Sequence, residues 1–253
     1  MYPHSFLWHY LWVAPYAIQA IILAVMLRRR LWHEFPVFFA YTGFEIVQGG
    51  VLFALDHNGG VSPHQYWEVY WVAQVLSIAL RFAVIYEIFA HIFRPYAALG
   101  ELSRIVFRWA SVLLILVALV VAAYAPGDAT LPILSGVNVV GRAVGLVQSG
   151  LMVFLFLFSS YFGLSWRSFV YGIALGMGIF ASVDLATSAI RVATGLGEGT
   201  YVLSFVTMAA YHCCVVIWLV YLLAPEVAAQ TVKELPEHNL EEWNTALQRL
   251  LTR

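Results

Sequence analysis

Charge is what this sequence has least of. Lysine occurs once in 253 residues, as Lys233, and Asp, Glu, Lys and Arg together make up 11% of the chain. A soluble domain carries about a quarter of its residues charged, so a water-exposed surface of ordinary composition cannot be assembled from this set. With no lysine inside an apolar run, a retinal Schiff base is excluded. The net charge of −1 offers no basic face for nucleic acid. Cysteine is nearly as scarce. Cys213 and Cys214 are neighbours within an apolar run, and adjacent helical residues point in different directions. They therefore offer neither a structural disulfide nor a pair of metal ligands, and read as small core residues.

Catalytic and cofactor motifs are missing as well. His9, His91 and His212 fall at different depths of three apolar segments, which excludes a haem held between paired histidines. No HxxxH or HExxH spacing supplies a zinc site, and there is no Walker loop, no G-x-S-x-G and no glycine-rich dinucleotide fingerprint. The sequence predicts no metal, no cofactor and no enzymatic centre.

What fills the chain instead is apolar surface: 62% of residues are hydrophobic and 16% aromatic, and the mean hydropathy is +0.82. That places it among integral membrane proteins. A helix crosses the hydrocarbon with about 20 predominantly apolar residues. Seven segments qualify, at approximately 7–27, 35–56, 66–91, 105–124, 132–160, 167–191 and 201–223. The expected fold is an all-α, seven-transmembrane-helix bundle over residues 1–224, followed by a tail over 225–253. Arg28, Arg29 and Arg30 follow the first apolar run rather than precede it, so that run is expected to remain as a span and not to be cleaved as a signal.

Orientation follows from the arginines. The first, third and fifth links and the tail hold Arg28–Arg30, Arg94, Arg104, Arg108, Arg167, Lys233, Arg249 and Arg253; the other links offer only Arg191, at a span edge. The positive-inside rule then puts the N-terminus outside and the C-terminus in the cytoplasm of a plasma membrane, the bacterial inner membrane. Trp8, Trp67 and Trp71 mark the outer rim, and Trp32, Trp109, Trp166 and Trp218 the inner one. In the tail, Leu240, Trp243, Leu247, Leu250 and Leu251 recur at helical spacing. This predicts an amphipathic helix lying on the inner membrane surface or against a cytoplasmic or membrane partner.

Against this background the stretch "YTGFEIVQGG" is conspicuous, because Glu45 sits at mid-depth of the second span. An unpaired charge there costs at least a few kcal/mol, so such residues turn inward and find partners. Arg81 falls near the midpoint of the third span, and Arg142 and Asp184 lie about four residues outward of centre in the fifth and sixth, roughly 6 Å at helical rise. Glu45–Arg81 and Asp184–Arg142 are the expected partners, as two ion pairs or one network.

Helical spacing joins further polar residues to them. Tyr70, Gln74, Ser77 and Arg81 share a face of the third span, and Tyr41, Glu45 and Gln48 a face of the second. Trp12, Tyr16 and Gln19 do so in the first, Asn138, Arg142, Gly145 and Ser149 in the fifth, Asp184, Thr187, Ser188 and Arg191 in the sixth, and Tyr201, Met208 and His212 in the seventh. The fourth span is apolar almost all round and is expected to face lipid. Six polar stripes must meet inside the bundle, because lipid cannot satisfy them. Gly141 and Gly145, and Gly172 and Gly176, mark G-x-x-x-G faces where helices approach closely.

The candidate ligand- or proton-binding set is Glu45, Arg81, Arg142, Asp184 and His212, with Gln48, Gln74 and Asn138 as neutral hydrogen-bonding groups. His212 can change charge near neutral pH. Seven spans with an outside N-terminus and an amphipathic tail are similar in outline to G-protein-coupled receptors and to membrane input modules of bacterial kinases, which implies a receptor or sensor. The receptor motifs themselves are not there: the third span ends "YEIFAHIFRPY", without Asp-Arg-Tyr, and the seventh ends "VIWLVYLLAPE", without Asn-Pro-x-x-Tyr. An apolar fourth helix between two sets of three resembles the plan of sugar-efflux carriers, which implies a secondary transporter, although their Pro-Gln pair is absent. A non-catalytic structural subunit of a membrane complex is the third possibility.

Overall fold

In the computed structural model the described residues are 6–57, 62–92, 143–150, 167–194 and 201–224, with Ile105, Arg108, Trp109, Val112, Leu116 and Val153. They are helical or connecting, with no strand among them. Five helices are long and apolar enough to cross a membrane. They are α1 (Phe6–Arg28), α2 (Pro36–His57), α3 (Pro63–Ile92), α4 (Phe169–Thr194) and α5 (Tyr201–Leu223). Even the shortest, at 22 residues, spans about 33 Å at helical rise, enough for a hydrocarbon core of about 30 Å.

These are the first, second, third, sixth and seventh of the expected spans. Most of the fourth and fifth, and the whole tail over 225–253, lie outside the described residues. Within the fourth, Ile105, Arg108, Trp109, Val112 and Leu116 are helical and exposed. Within the fifth, residues 143–150 are helical.

The helices close into a ring, α1 to α2 to α3 to α4 to α5 and back to α1. Successive neighbours run antiparallel: Trp12 of α1 meets Phe53 of α2 at 5.4 Å, and Thr187 of α4 meets Thr207 of α5 at 3.3 Å. At the closure α1 and α5 run parallel and in step. Trp8 stacks on Tyr201 at 5.2 Å, Gln19 bonds Tyr211, and Arg29 bonds the carbonyl of Leu222. The ring thus has two distinct ends. One carries the starts of α1, α3 and α5. The other, here the arginine end, carries Arg28–Arg30, Arg167 and the starts of α2 and α4; there Phe35 meets both His91 (4.9 Å) and Phe169 (5.5 Å).

Two side chains at the arginine end satisfy backbone groups that helix termini leave open. Helix α2 begins at Pro36 and is preceded by Phe35, which cannot cap it. The Glu87 carboxylate reaches over from α3 instead and accepts from the backbone N–H groups of Val37 and Phe38, each at 2.8 Å. An acid at that position also complements the positive end of the helix dipole. Conversely, the Arg29 guanidinium donates to the Leu222 carbonyl at 2.6 Å, placing a cation on the negative end of α5.

Packing between α4 and α5 follows the glycines. A Cβ on Gly172 would lie 2.3 Å from the Tyr221 ring, and one on Gly176 would lie 2.5 Å from Nε1 of Trp218, so each glycine receives an aromatic ring. Trp218 is buried inside the ring with 1% exposure, its indole N–H donating to the Ile173 carbonyl at 3.3 Å. It is a core residue, which corrects its expected place in the inner aromatic belt.

Burial is uneven along the ring axis. The buried residues of α5 are Cys214, Val215, Trp218 and Leu222, all in its second half. In α4 they cluster between Phe169 and Ala181, with Thr187 beyond, and among the described side chains of α3 none precedes Ala73, whereas α1 is buried at intervals from Trp8 to Met26 and α2 from Phe38 to Leu52. The continuous core, including Ile22, Met26, Phe38, Ile85, Ile173 and Trp218, fills the half toward the arginine end.

Candidate functional site

Glu45 stands at the boundary between the packed half and the looser one. Its residue is 8% exposed. The carboxylate oxygen Oε1 accepts from the Ser77 hydroxyl of α3 at 2.5 Å. Arg81 is one helical turn beyond Ser77 on the same face and interacts electrostatically with Glu45. The two do not close into an ion pair within 4.0 Å; Ser77 is the acid's direct partner. Arg81 instead sets its guanidinium carbon 5.9 Å from the centre of the Phe180 ring of α4, and its Nε is buried without a hydrogen-bond partner. A cation over an aromatic face is held by the ring quadrupole, which keeps the charge near the acid without neutralising it by contact.

The other helices complete the surroundings with hydroxyls and amides. Tyr211 of α5 accepts from Gln19 Nε2 of α1 at 2.6 Å and hydrogen-bonds Tyr41 of α2. Tyr16, Tyr41, Tyr211 and Cys214 all lie within electrostatic range of Glu45. Phe180 packs against Tyr211 at 5.3 Å. Tyr16 can approach because Gly49 has no Cβ; one there would sit 2.2 Å from Tyr16 Cζ. Every helix of the ring thus sends a side chain to one centre around Glu45.

No family model, no curated protein and no solved structure matches this chain.

Of the expected site residues, the structure brings Glu45 and Arg81 together and sets Gln48 and Gln74 about one turn away along their helices. The Gln48 Oε1 is buried without a partner, and Gln74 Nε2 donates to the Tyr70 hydroxyl at 2.9 Å. His212 is displaced from the centre: its ring lies 5.5 Å from that of Tyr10, while the inward face of α5 is Tyr211, Cys214 and Trp218. Asp184 sits on α4 beside a separate hydroxyl seam, where Thr187 donates to its backbone carbonyl (3.0 Å) and faces Thr207. Arg142 and Asn138 lie outside the described residues, so the Asp184–Arg142 pairing does too.

The residues overlooked in the sequence are instructive. Tyr211 holds the centre together with Gln19, which the sequence places on the polar stripe of the first span, yet Tyr211 itself belongs to no such stripe. Gln148, 2% exposed with both amide atoms unpartnered, lies on the helical segment that approaches α4 through Gly145 and Ser149. The only signal available for it was its place between Gly145 and Ser149 on the fifth span.

Proposed function

We propose that this integral membrane protein is a receptor or sensor that responds to a small polar molecule or a proton at the Glu45–Ser77–Arg81 centre, without catalysis. One observation carries the reading: a mid-span acid and base lie within electrostatic range of each other and yet keep separate direct partners. A network serving only cohesion gains most by closing the pair, since isolated buried charges cost several kcal/mol each and contact recovers part of it. A pair held apart leaves the carboxylate and Arg81 Nε free to meet a ligand, or the carboxylate to bind a proton.

The topology belongs to the same proposal. The end of α3 and the start of α4 lie at the same end of the ring, as an even number of intervening spans requires. The two further spans expected over 105–124 and 132–160 satisfy that parity and give seven. The clustering of Arg28–Arg30 and Arg167 at this end supports a cytoplasmic arginine end, an outside N-terminus and a bacterial inner-membrane location. The tail helix over 225–253 would then be the contact for a cytoplasmic or membrane partner.

Infrared difference spectroscopy of the reconstituted protein during a pH titration tests the reading. A carboxylic-acid band that is lost in Glu45→Gln is expected, and addition of a ligand should shift it. If no band depends on Glu45 under any condition, the site is structural. Transport of the ligand is the second reading, favoured by the looser packing of α3 and α5 on one side of Glu45. It predicts ligand accumulation in vesicles, where a receptor predicts none.

A further inference from the structure

We infer that Glu45 exchanges protons with water only through the end of the ring where α1, α3 and α5 begin, along a column of hydroxyl and amide groups, while an aromatic seal closes the arginine end. The inference rests on the functional reading above and adds a side and a ligand, the proton.

The column lies on α3. Tyr70, Gln74, Ser77 and Arg81 follow one another at steps of four, three and four, on one helix face. Gln74 bonds Tyr70 at 2.9 Å, Ser77 bonds Glu45, and the Tyr66 and Tyr70 rings stack at 6.5 Å one turn nearer the mouth. From α1, Tyr16 lies within electrostatic range of Tyr66, Tyr70 and Glu45, on the same side of the ring as the column. From α2, the buried and unpartnered Oε1 of Gln48 adds an acceptor one turn from Glu45 on the same side. Among the described side chains, none of α3 before Ala73 and none of α5 before Cys214 is fully buried, so on these two helices the polar column is not overlaid by the packed core.

Beyond Glu45 the character changes. Trp218 sets its ring edge-on against Phe38 at 5.0 Å and Tyr41 at 6.1 Å, and Phe38 meets Phe169 at 5.7 Å. Ile22, Met26, Ile85 and Ile173 fill the space between, each 0% exposed. Thr42, on this side of Glu45, turns its hydroxyl onto its own helix carbonyl at Phe38. The polar groups in this layer, the Thr42 and Tyr41 hydroxyls and the Trp218 indole N–H, are bonded to Phe38, Tyr211 and Ile173, so among the described residues they form no continuous chain for a proton toward the arginine end.

The groups facing Glu45 fix what uptake does. They are Ser77 and Arg81 from α3, Tyr16 from α1, Tyr41 from α2, and Tyr211 and Cys214 from α5; α4 contributes Phe180, behind Arg81 and Tyr211. A proton delivered by hydronium forms one O–H bond on the carboxylate as one O–H bond of the hydronium breaks, leaving water. Its product is a neutral acid beside an Arg81 that has lost its counter-charge. Such a change is a signal the ring can register.

Sidedness is testable in the full-length protein. In a Cys213→Ala/Cys214→Ala background of unchanged elution profile, Gln74→Cys should react with a membrane-impermeant thiol reagent from the side on which α3 begins, and that labelling should be lost from the arginine side. Met26→Cys should react from neither. Reaction of Gln74→Cys from the arginine side, or from neither side, overturns the inference. The wild-type protein gives an independent reading: in vesicles, a pH jump on the α3-start side alone should change the Glu45 carboxyl band. A response to a jump on the arginine side refutes one-sided access while leaving the Glu45 site standing. A complete lack of a Glu45 band removes both.

Discussion

A carboxylate between Phe44 and Ile46 persists in hydrocarbon because it is turned away from lipid and supplied with a donor. The hydroxyl of Ser77 is that donor, and removing it should be felt directly. Ser77→Ala leaves a buried acceptor unsatisfied, at a cost of about 1–3 kcal/mol, and should lower the thermal midpoint of the detergent-solubilised protein. Glu45→Gln keeps an oxygen for Ser77 but leaves Arg81 without its counter-charge, so it should unfold below the native midpoint while losing any response. In the double variant the Ser77 penalty should shrink, since a neutral amide demands less than a carboxylate. Equal stability of Ser77→Ala and the native protein would show that the hydroxyl is not the acid's support. Glu45 and Arg81 were legible in the sequence because charges at mid-span are so few that two at one depth stand out. Ser77 was legible only as a member of a face, and Tyr211 not at all: a hydroxyl on a ring reads as apolar bulk until its partner is known. Trp218 misled for the converse reason, since an indole near a span end looks like an interface anchor whether it faces lipid or, as here, a glycine notch on α4.

At the scale of elements, the register between helices is set by a few close contacts, and they are unequal. Gly176→Ala puts a methyl 2.5 Å from Trp218 Nε1 and 3.1 Å from the Cys214 carbonyl. Neither neighbour can yield, one being a wedged ring and the other backbone, so overpacking of about 1–3 kcal/mol is expected. Gly145→Ala meets only the Leu185 side chain, at 3.5 Å or more. It should leave stability nearly unchanged, although both glycines belong to the same sequence motif. Parallel melting of the two variants checks this; similar losses in both would mean that the α4–α5 notch is not special. The Glu87 cap provides a second prediction. Glu87→Ala strips two backbone donors of α2 of their acceptor and should cost about 0.5–2 kcal/mol, with Glu87→Gln recovering part, as thermal unfolding can measure. Sequence patterns anticipated the described helices to within a few residues, since bilayer thickness dictates length and composition dictates burial. They did not anticipate that cap, because the acid lies 49 and 50 residues from the groups it serves and an interhelical cap has no local spacing to betray it.

For the whole molecule, the parity of crossings is the property on which the sided site depends. With α1 and α5 parallel, their starts lie at one end of the ring and the arginines of the first link, with Arg167, lie at the other. If positive charge selects the cytoplasm, reporter fusions have a fixed expected pattern. A fluorescent protein fused after residue 33 or residue 166 should fold and fluoresce in the cytoplasm. A phosphatase that is active only outside should be active when fused after residue 59 or residue 197. The informative junction is after residue 128, between the two spans expected in 93–168: phosphatase activity there means that the stretch crosses and returns, giving seven spans. Fluorescence at that junction would leave five spans with the same two ends. In that case the site would keep its orientation, and only the helix count would need revision. Inversion of all junctions together would be more serious. It would place the mouth of the Tyr70–Gln74–Ser77 column in the cytoplasm, and the centre at Glu45 would then respond to the interior of the cell.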